Sequence, residues 1–194
     1  MQPDSDRELI LRLQAGSLDA LGTLYDRHRK MVYRTALGIS GDSEAAADLL
    51  QDVFLRLHRF AGRIDPERPL EPWLYRMTAN LAYTWVKRRH RWFSPIEEIA
   101  EWLASNKKRD APQQVAEIDE ELRKVQQAIA ALPLTQRVVV VLYYINDLSL
   151  QEIAEILDVP EGTIKSRLHY GRKAVKKHLS LQDDLLLEMQ YEFT

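Results

Sequence analysis

The sequence predicts an all-α protein built as two small helical domains joined by a flexible linker. Three observations carry this prediction. Glycine is scarce, 7 of 194 residues, while Leu, Ala, Glu, Arg and Lys recur throughout, a composition that favours helix over strand. Apolar residues return every three or four positions over most of the chain. The stretch 93–118 breaks that rhythm and separates two periodic halves. The expected domains are therefore 1–92 and 119–180, with 181–194 as a C-terminal tail.

Residues 5–37 read as helical, with Leu9, Leu13, Leu18, Leu21, Leu24, Val32 and Ala36 at helical spacing. Gly38 and Gly41 mark a break, after which Asp42 or Ser43 can cap the next helix. That helix, near 43–60, carries the stripe Ala46, Leu49, Leu50, Val53, Phe54 and Leu57. "GRIDPERPLEP" is rich in proline and reads as loop. A further helix runs from Pro72, a first-turn residue, to Arg91, with Leu74, Met77, Leu81 and Trp85 as its expected buried stripe. The linker joins an acidic piece, "PIEEIAEWLA", to the polar "SNKKRDAPQQ".

The second domain opens with a helix from about Glu120 to Leu132, stopped by Pro133. "LTQRVVVVLYYI" has a strand-like β-branched run, yet its length and helical neighbours favour a buried helix. Just before "EIAEILDVPEGTIKSRL", Ser149 stands three residues ahead of Glu152, the capping-box spacing. Ile153, Ile156 and Leu157 point inward, Ala154 permits close approach, and Asp158 to Pro160 turn the corner with Val159 beneath. Ile164, Leu168, Gly171, Val175 and Leu179 then form one stripe, leaving Lys165, Ser166, His169, Arg172, Lys173 and Lys176 outward. This is the helix-turn-helix layout, in which cations hold phosphates and short polar side chains read base edges. A plain helical corner with a solvated basic face is the alternative.

Composition narrows the classes further. With no cysteine, disulfides and thiolate metal sites are excluded, and an intracellular, cytoplasmic setting is expected. The start, "MQPDSDRELILRLQAG", is acidic and unlike a signal peptide, and the longest apolar run, "VVVVLYYI", is too short to span a bilayer, so no membrane insertion is expected. The net charge is only −2, but Lys87, Arg88, Arg89 and Arg91 form one basic block and Lys165, Arg167, Arg172, Lys173, Lys176 and Lys177 another. Two basic patches between acidic stretches suggest two contacts with an anionic partner, solvated helix faces being the plainer reading. In "PWLYRMTANLAYTWVKRRHRW" aromatic and basic side chains interleave, which suits unstacked bases, although such rings are also common core residues. In "EAAADLLQDVFLRLHRF", Glu44, Asp48, Gln51 and Asp52 flank Leu55, an edge that could dock a partner helix. The five histidines lack metal-site spacing, and neither a glycine-rich phosphate loop nor a nucleophile elbow is present. No catalytic residue, metal or cofactor is expected, and the chain does not read as an enzyme.

Taken in order, these parts resemble the extracytoplasmic-function sigma factors of the bacterial sigma-70 family. "ADLLQDVFLRL" is similar to that family's polymerase-binding helix, "PWLYRMTANLAYTWVKRR" to its promoter-melting helix, and "ALPLTQRVVVVLYYINDLSLQEIAEILDVPEGTIKSRL" to its fourth conserved region. The likeness covers about Asp19 to Leu179. It implies a sigma-2 domain that binds core RNA polymerase and melts and reads the minus-ten element, and a sigma-4 domain that reads the minus-thirty-five element. The implied partners are the β′ coiled coil and β flap of bacterial core RNA polymerase, promoter DNA and an anti-sigma factor.

By position, the resemblance assigns Asp48, Leu49, Gln51, Asp52, Phe54 and Leu55 to the polymerase. It assigns Arg63, Arg68, Trp73, Asn80, Tyr83, Lys87, Arg88 and Arg89 to the minus-ten DNA, with the loop from Gly62 to Glu71 trapping an extruded base. Thr163, Lys165, Ser166, Arg167, His169, Tyr170, Arg172 and Lys173 fall to the minus-thirty-five DNA. The chain departs from the family at Thr84, where an acidic residue is usual, and at Tyr170-Gly171, where an arginine-alanine pair is common. The competing reading is a free-standing helix-turn-helix transcription regulator, which leaves the first half without a role.

Overall fold

Helix α1 (Asp6–Gln14) begins at a capping box: the Ser5 hydroxyl accepts the Glu8 N–H at 3.3 Å, and the Glu8 carboxylate accepts the Ser5 N–H at 2.7 Å. The computed structural model describes residues 4–92 and 123–192, and every regular element among them is helical. The expected single helix over 5–37 is two helices. Gly16 takes a left-handed φ of 93°, and the Ser17 hydroxyl caps α2 (Leu18–Ser40) by accepting the Ala20 N–H. Leu18, expected in the core, sits at that corner and is 64% exposed. Gly41, again left-handed, closes α2 through its N–H to the Leu37 carbonyl, and Asp42 caps α3 (Ser43–Phe60).

A single 3-10 turn (Ala61–Arg63) and a proline-rich loop lead to α4 (Leu70–Trp92). Gln14 of α1 secures this loop by donating to the carbonyls of Ala61 and Ile64 at 3.0 and 2.8 Å. The first core gathers Leu9, Leu24, Val32, Val53, Leu57 and Leu74 from all four helices. The stripe that α4 buries differs from expectation. Leu74, Tyr75, Thr78, Ala79, Ala82 and Val86 are buried, whereas Met77, Leu81 and Trp85 are only half-buried. Small residues let α4 lie close to its neighbours, and Thr78 satisfies its hydroxyl within the helix, on the Leu74 carbonyl at 2.7 Å.

The linker assigned to 93–118 and the start of the second domain near Glu120 lie outside the described residues. Residues 123–130 form α5, followed by α6 (Leu134–Tyr144), α7 (Leu150–Leu157) and α8 (Glu161–Glu192). The strand-like run is indeed a helix. Arg137 through Leu142 are buried in succession, so α6 has no polar side over that span. One side meets α7 and α8; another meets α2. Arg137 is the one charge in the run. Its guanidinium donates to the Leu132 carbonyl at 3.3 Å, to that of Ala130, and to that of Ile39 across on α2 at 3.0 Å.

The halves expected as separate domains share one core. Ala36 and Ile39 of α2 and Tyr75, Ala79 and Ala82 of α4 belong to the same buried cluster as Val138–Leu142 of α6 and Ile153, Ile156, Ile164 and Leu168 beyond it. Helix α4 also packs against α7. The tail continues α8 as helix to Glu192, while the side chains of Leu185, Leu186, Leu187 and Met189 lie outside those described.

Candidate nucleic-acid and polymerase interfaces

The corner forms because each end of α7 is satisfied locally. Ser149 and Glu152 make the reciprocal capping box at 3.2 and 2.8 Å, and the Ser149 hydroxyl and N–H together hold the Glu152 carboxyl below its usual range. Asp158 adopts a left-handed φ of 56°, and Val159 returns its N–H to the Ala154 carbonyl at 3.1 Å. Helix α8 then buries Ile164, Leu168 and Gly171. Gly171 has a steric reason to be glycine. A Cβ there would stand 2.8 Å from Val140 Cγ2, so α8 approaches α6 more closely than an alanine allows.

On the outer side of α8, Lys165, Ser166, His169, Tyr170, Arg172 and Lys173 are all exposed. Thr163 and Arg167 are half-buried flanks. Tyr170 is 58% exposed, and its ring meets that of His169 edge-on with centroids 5.3 Å apart. Ser166 gives its hydroxyl to the Thr163 carbonyl at 3.0 Å, and Lys165 pairs with Glu161 at 2.9 Å. The side chains nearest the corner are thus held by their own helix before any ligand arrives.

On α4, Asn80, Lys87 and Arg88 are exposed, while Trp73 and Tyr83 are half-buried. Lys87 stands 4.8 Å from the centre of the Tyr83 ring, and Arg89 5.2 Å from that of Trp85. Thr84 turns its hydroxyl to the Asn80 carbonyl at 2.7 Å, so this departure from the family pattern is accommodated within the helix. Arg89 has a structural duty that the sequence did not reveal: it pairs with the α3 cap Asp42 at 2.7 Å. Arg63 lies over the Phe60 ring, and Arg68 is exposed beside Asp65. The six residues assigned to the polymerase divide in two. Asp48, Gln51, Asp52 and Leu55 line one exposed face of α3, Leu55 being 64% exposed, whereas Leu49 and Phe54 are each 5% exposed and face the core. Phe54 meets the Tyr25 ring edge-on at 4.9 Å.

Two family models match the chain. Residues 24–92 match sigma-70 region 2 and residues 122–175 match sigma-70 region 4. The ECF RNA polymerase sigma factor SigW of Bacillus subtilis is 32% identical over 179 residues, covering 89% of this chain and 96% of its own. The chain belongs to the ECF sigma factors of the sigma-70 family. It is an RNA polymerase sigma factor, a determinant of transcription initiation. Two solved structures share its fold. CnrH in complex with the cytosolic domain of CnrY has a TM-score of 0.66 at 23% identity, covering 92% of this chain and 99% of that one. The sigma factor RpoE, in complex with the anti-sigma factor NepR from Bartonella quintana, has a TM-score of 0.60 at 23% identity, covering 78% and 91%.

Region 2 of this sigma factor therefore spans most of α2 through α4, and region 4 runs from before α5 into α8. The matched regions leave out α1, which the fold nevertheless ties to region 2 by a partly buried polar contact. Nε2 of the buried His28 lies 2.6 Å from Asp6 of α1, and Arg27 holds the other carboxylate oxygen. Glu71 brings a third ligand-type atom within 4.8 Å of this pair. With a guanidinium already on Asp6, the group serves as a tie between helices. Sequence reading missed it because 43 residues separate His28 from Glu71 and no spacing links them. Among the described residues no helix is long and apolar enough to cross a membrane.

Proposed function

We propose that this sigma factor divides promoter recognition between its two DNA-facing helices and holds the polymerase through α3. The observation that carries the reading is the two-sidedness of α8: its inner stripe is buried, and its six base-side candidates from Lys165 to Lys173 are open. In this reading Ser166, His169 and Tyr170 meet base edges of the minus-thirty-five element in the major groove. Arg172 and Lys173 hold phosphates, a term that weakens with salt. Asn80 and the ring of Tyr83 receive a base flipped from the opening minus-ten element, while Lys87 and Arg88 hold the flanking backbone.

The polymerase contact falls to the exposed face formed by Asp48, Gln51, Asp52 and Leu55, docked on the β′ coiled coil, with region 4 against the β flap. An anti-sigma factor is the expected regulator, given that a protein of the same fold is solved with one. Run-off transcription with bacterial core RNA polymerase on genomic promoter fragments tests the whole. Discrete transcripts that require this protein are expected, and they vanish in Asp48→Lys/Asp52→Lys while the circular-dichroism melt stays unchanged. Tight binding to a specific duplex without polymerase, and no polymerase-dependent transcript, would instead make it a free-standing regulator.

A further inference from the structure

Helix α1 lies outside both matched regions, yet it grips the loop that follows α3 at two points. The helix is itself firmly seated. Leu9, Ile10 and Leu13 are buried, and Asp6 meets His28 and Arg27 of α2. From its last residue, the Gln14 amide nitrogen donates to the Ala61 carbonyl at 3.0 Å and to the Ile64 carbonyl at 2.8 Å. From its first turn, Arg7 pairs with Glu67 of the loop at 2.7 Å. Between these points the loop is a local turn. Asp65 accepts the Glu67 N–H on its side chain at 3.0 Å and the Arg68 N–H on its carbonyl at 3.2 Å. Ile64 and Leu70 are buried at its two ends, while Asp65, Glu67, Arg68 and Pro69 are exposed. A groove of about 410 Å³, bordered by Asp6, Arg7, Arg27 and the loop from Pro66 onward, separates the middle of the loop from α1 and α2. Side-chain bridges, not close packing, therefore set the stance of the loop.

We propose that α1 is a positioning element for minus-ten reading, acting through Gln14 and, to a lesser degree, Arg7. This deepens the proposed function and rests on the loop from Gly62 to Glu71 bordering the extruded base. A site that receives a flipped base discriminates well only if its backbone is placed before the base arrives, because ordering it on binding costs affinity. Gln14 supplies that placement at the 3-10 turn, where the chain leaves α3. It addresses two carbonyls, so it fixes the path of the loop independently of the side chains the loop carries. Arg7 and Glu67 are 54% and 65% exposed, and a pair so open contributes less.

Promoter fragments recovered by run-off transcription are remade with each of the four bases at every minus-ten position. They are then transcribed by core RNA polymerase with the full chain. Gln14→Ala should lower discrimination at the extruded position by roughly fivefold, the size of one net hydrogen bond. Helical content, affinity for core polymerase and minus-thirty-five discrimination should stay as in wild type. Gln14→Glu keeps the length but brings no donor and should behave like alanine, whereas Gln14→Arg, which can donate to both carbonyls, should restore most of the loss. Arg7→Ala should change discrimination less than Gln14→Ala. Pro66→Gly/Pro69→Gly loosens the loop directly and serves as the reference. If that pair lowers discrimination and the Gln14 variants do not, α1 does not position the loop. A uniform drop in initiation from Gln14→Ala, with discrimination intact, makes the residue merely structural and equally overturns the proposal. If discrimination survives the glycine pair as well, the loop does not border the base, and the minus-ten reading given to it fails instead.

Discussion

Asp42 joins two helices of region 2 through one carboxylate, and its removal has a calculable effect. One oxygen accepts the N–H groups of Glu44 and Ala45 at 3.0 and 2.9 Å, capping α3, and the other meets Arg89 of α4 at 2.7 Å. Replacing an N-cap aspartate with alanine costs about 1 kcal/mol. The ion pair, with side chains 30% and 32% exposed, adds on the order of 1 kcal/mol. Asp42→Ala should therefore cost about 2 kcal/mol and lower Tm by roughly 4–8 °C in a protein of this size. Asp42→Asn keeps a good cap and loses only the charge, so it should cost about half as much.

The same carboxylate gives the effect a pH signature. Burial pushes its pKa up, but the Ala45 N–H, the Arg89 guanidinium and the Glu44 N–H outweigh burial and hold it below the ordinary aspartate range. A lowered folded pKa means that the unfolded chain binds the proton more readily. The contribution is then complete above about pH 4 and is lost as pH falls through the lower folded value. Urea titrations at pH 7 and in steps below pH 4 would follow this, with Arg89→Met closing a double-mutant cycle. If Asn proves as costly as Ala, or if the alanine variant loses stability at pH 3 to the same extent as wild type, the cap-plus-pair account of Asp42 is wrong.

Two further outcomes follow from α8. Gly171→Ala should destabilise by about 1–3 kcal/mol through the clash with Val140, and Val140→Ala in the same chain should recover much of that loss in thermal melts. Arg172→Ala/Lys173→Ala should weaken polymerase-dependent promoter binding and flatten its log K against log salt slope by about 2, without changing which fragments are selected.

The helix-turn-helix was legible in the sequence because its devices are local. Ser149 and Glu152 announce their capping box by spacing alone, and the inward stripe from Ile164 to Gly171 follows from a single period. Helix α3 was legible for the same reason, although the sequence left Asp42 and Ser43 as alternative caps and the structure uses Asp42. What escaped depends on partners distant in sequence. The stripe of α4 was placed on its large apolar residues, whereas the structure buries Thr78, Ala79 and Ala82, whose value lies in how near a neighbouring backbone can come. Arg89 looked like a free phosphate contact because Asp42 is 47 residues away. Leu49 and Phe54 were read with the polymerase-facing residues of α3, but they share the buried stripe of that helix and leave four side chains on the open face.

Helix α6 shows why the packing of region 2 against region 4 was hidden. A region 4 that folded alone would need one apolar face on α6 and could leave the other polar. The continuous burial from Val138 to Leu142 exceeds that need, and its β-branched character suggested a strand because no helical period shows through it. The excess is explained once α2 covers the second side, with Gly38 giving way to Val141 and Arg137 reaching the Ile39 carbonyl. An α6 detached from region 2 would expose Val141 and Ile145 and strand part of the Arg137 hydrogen bonding.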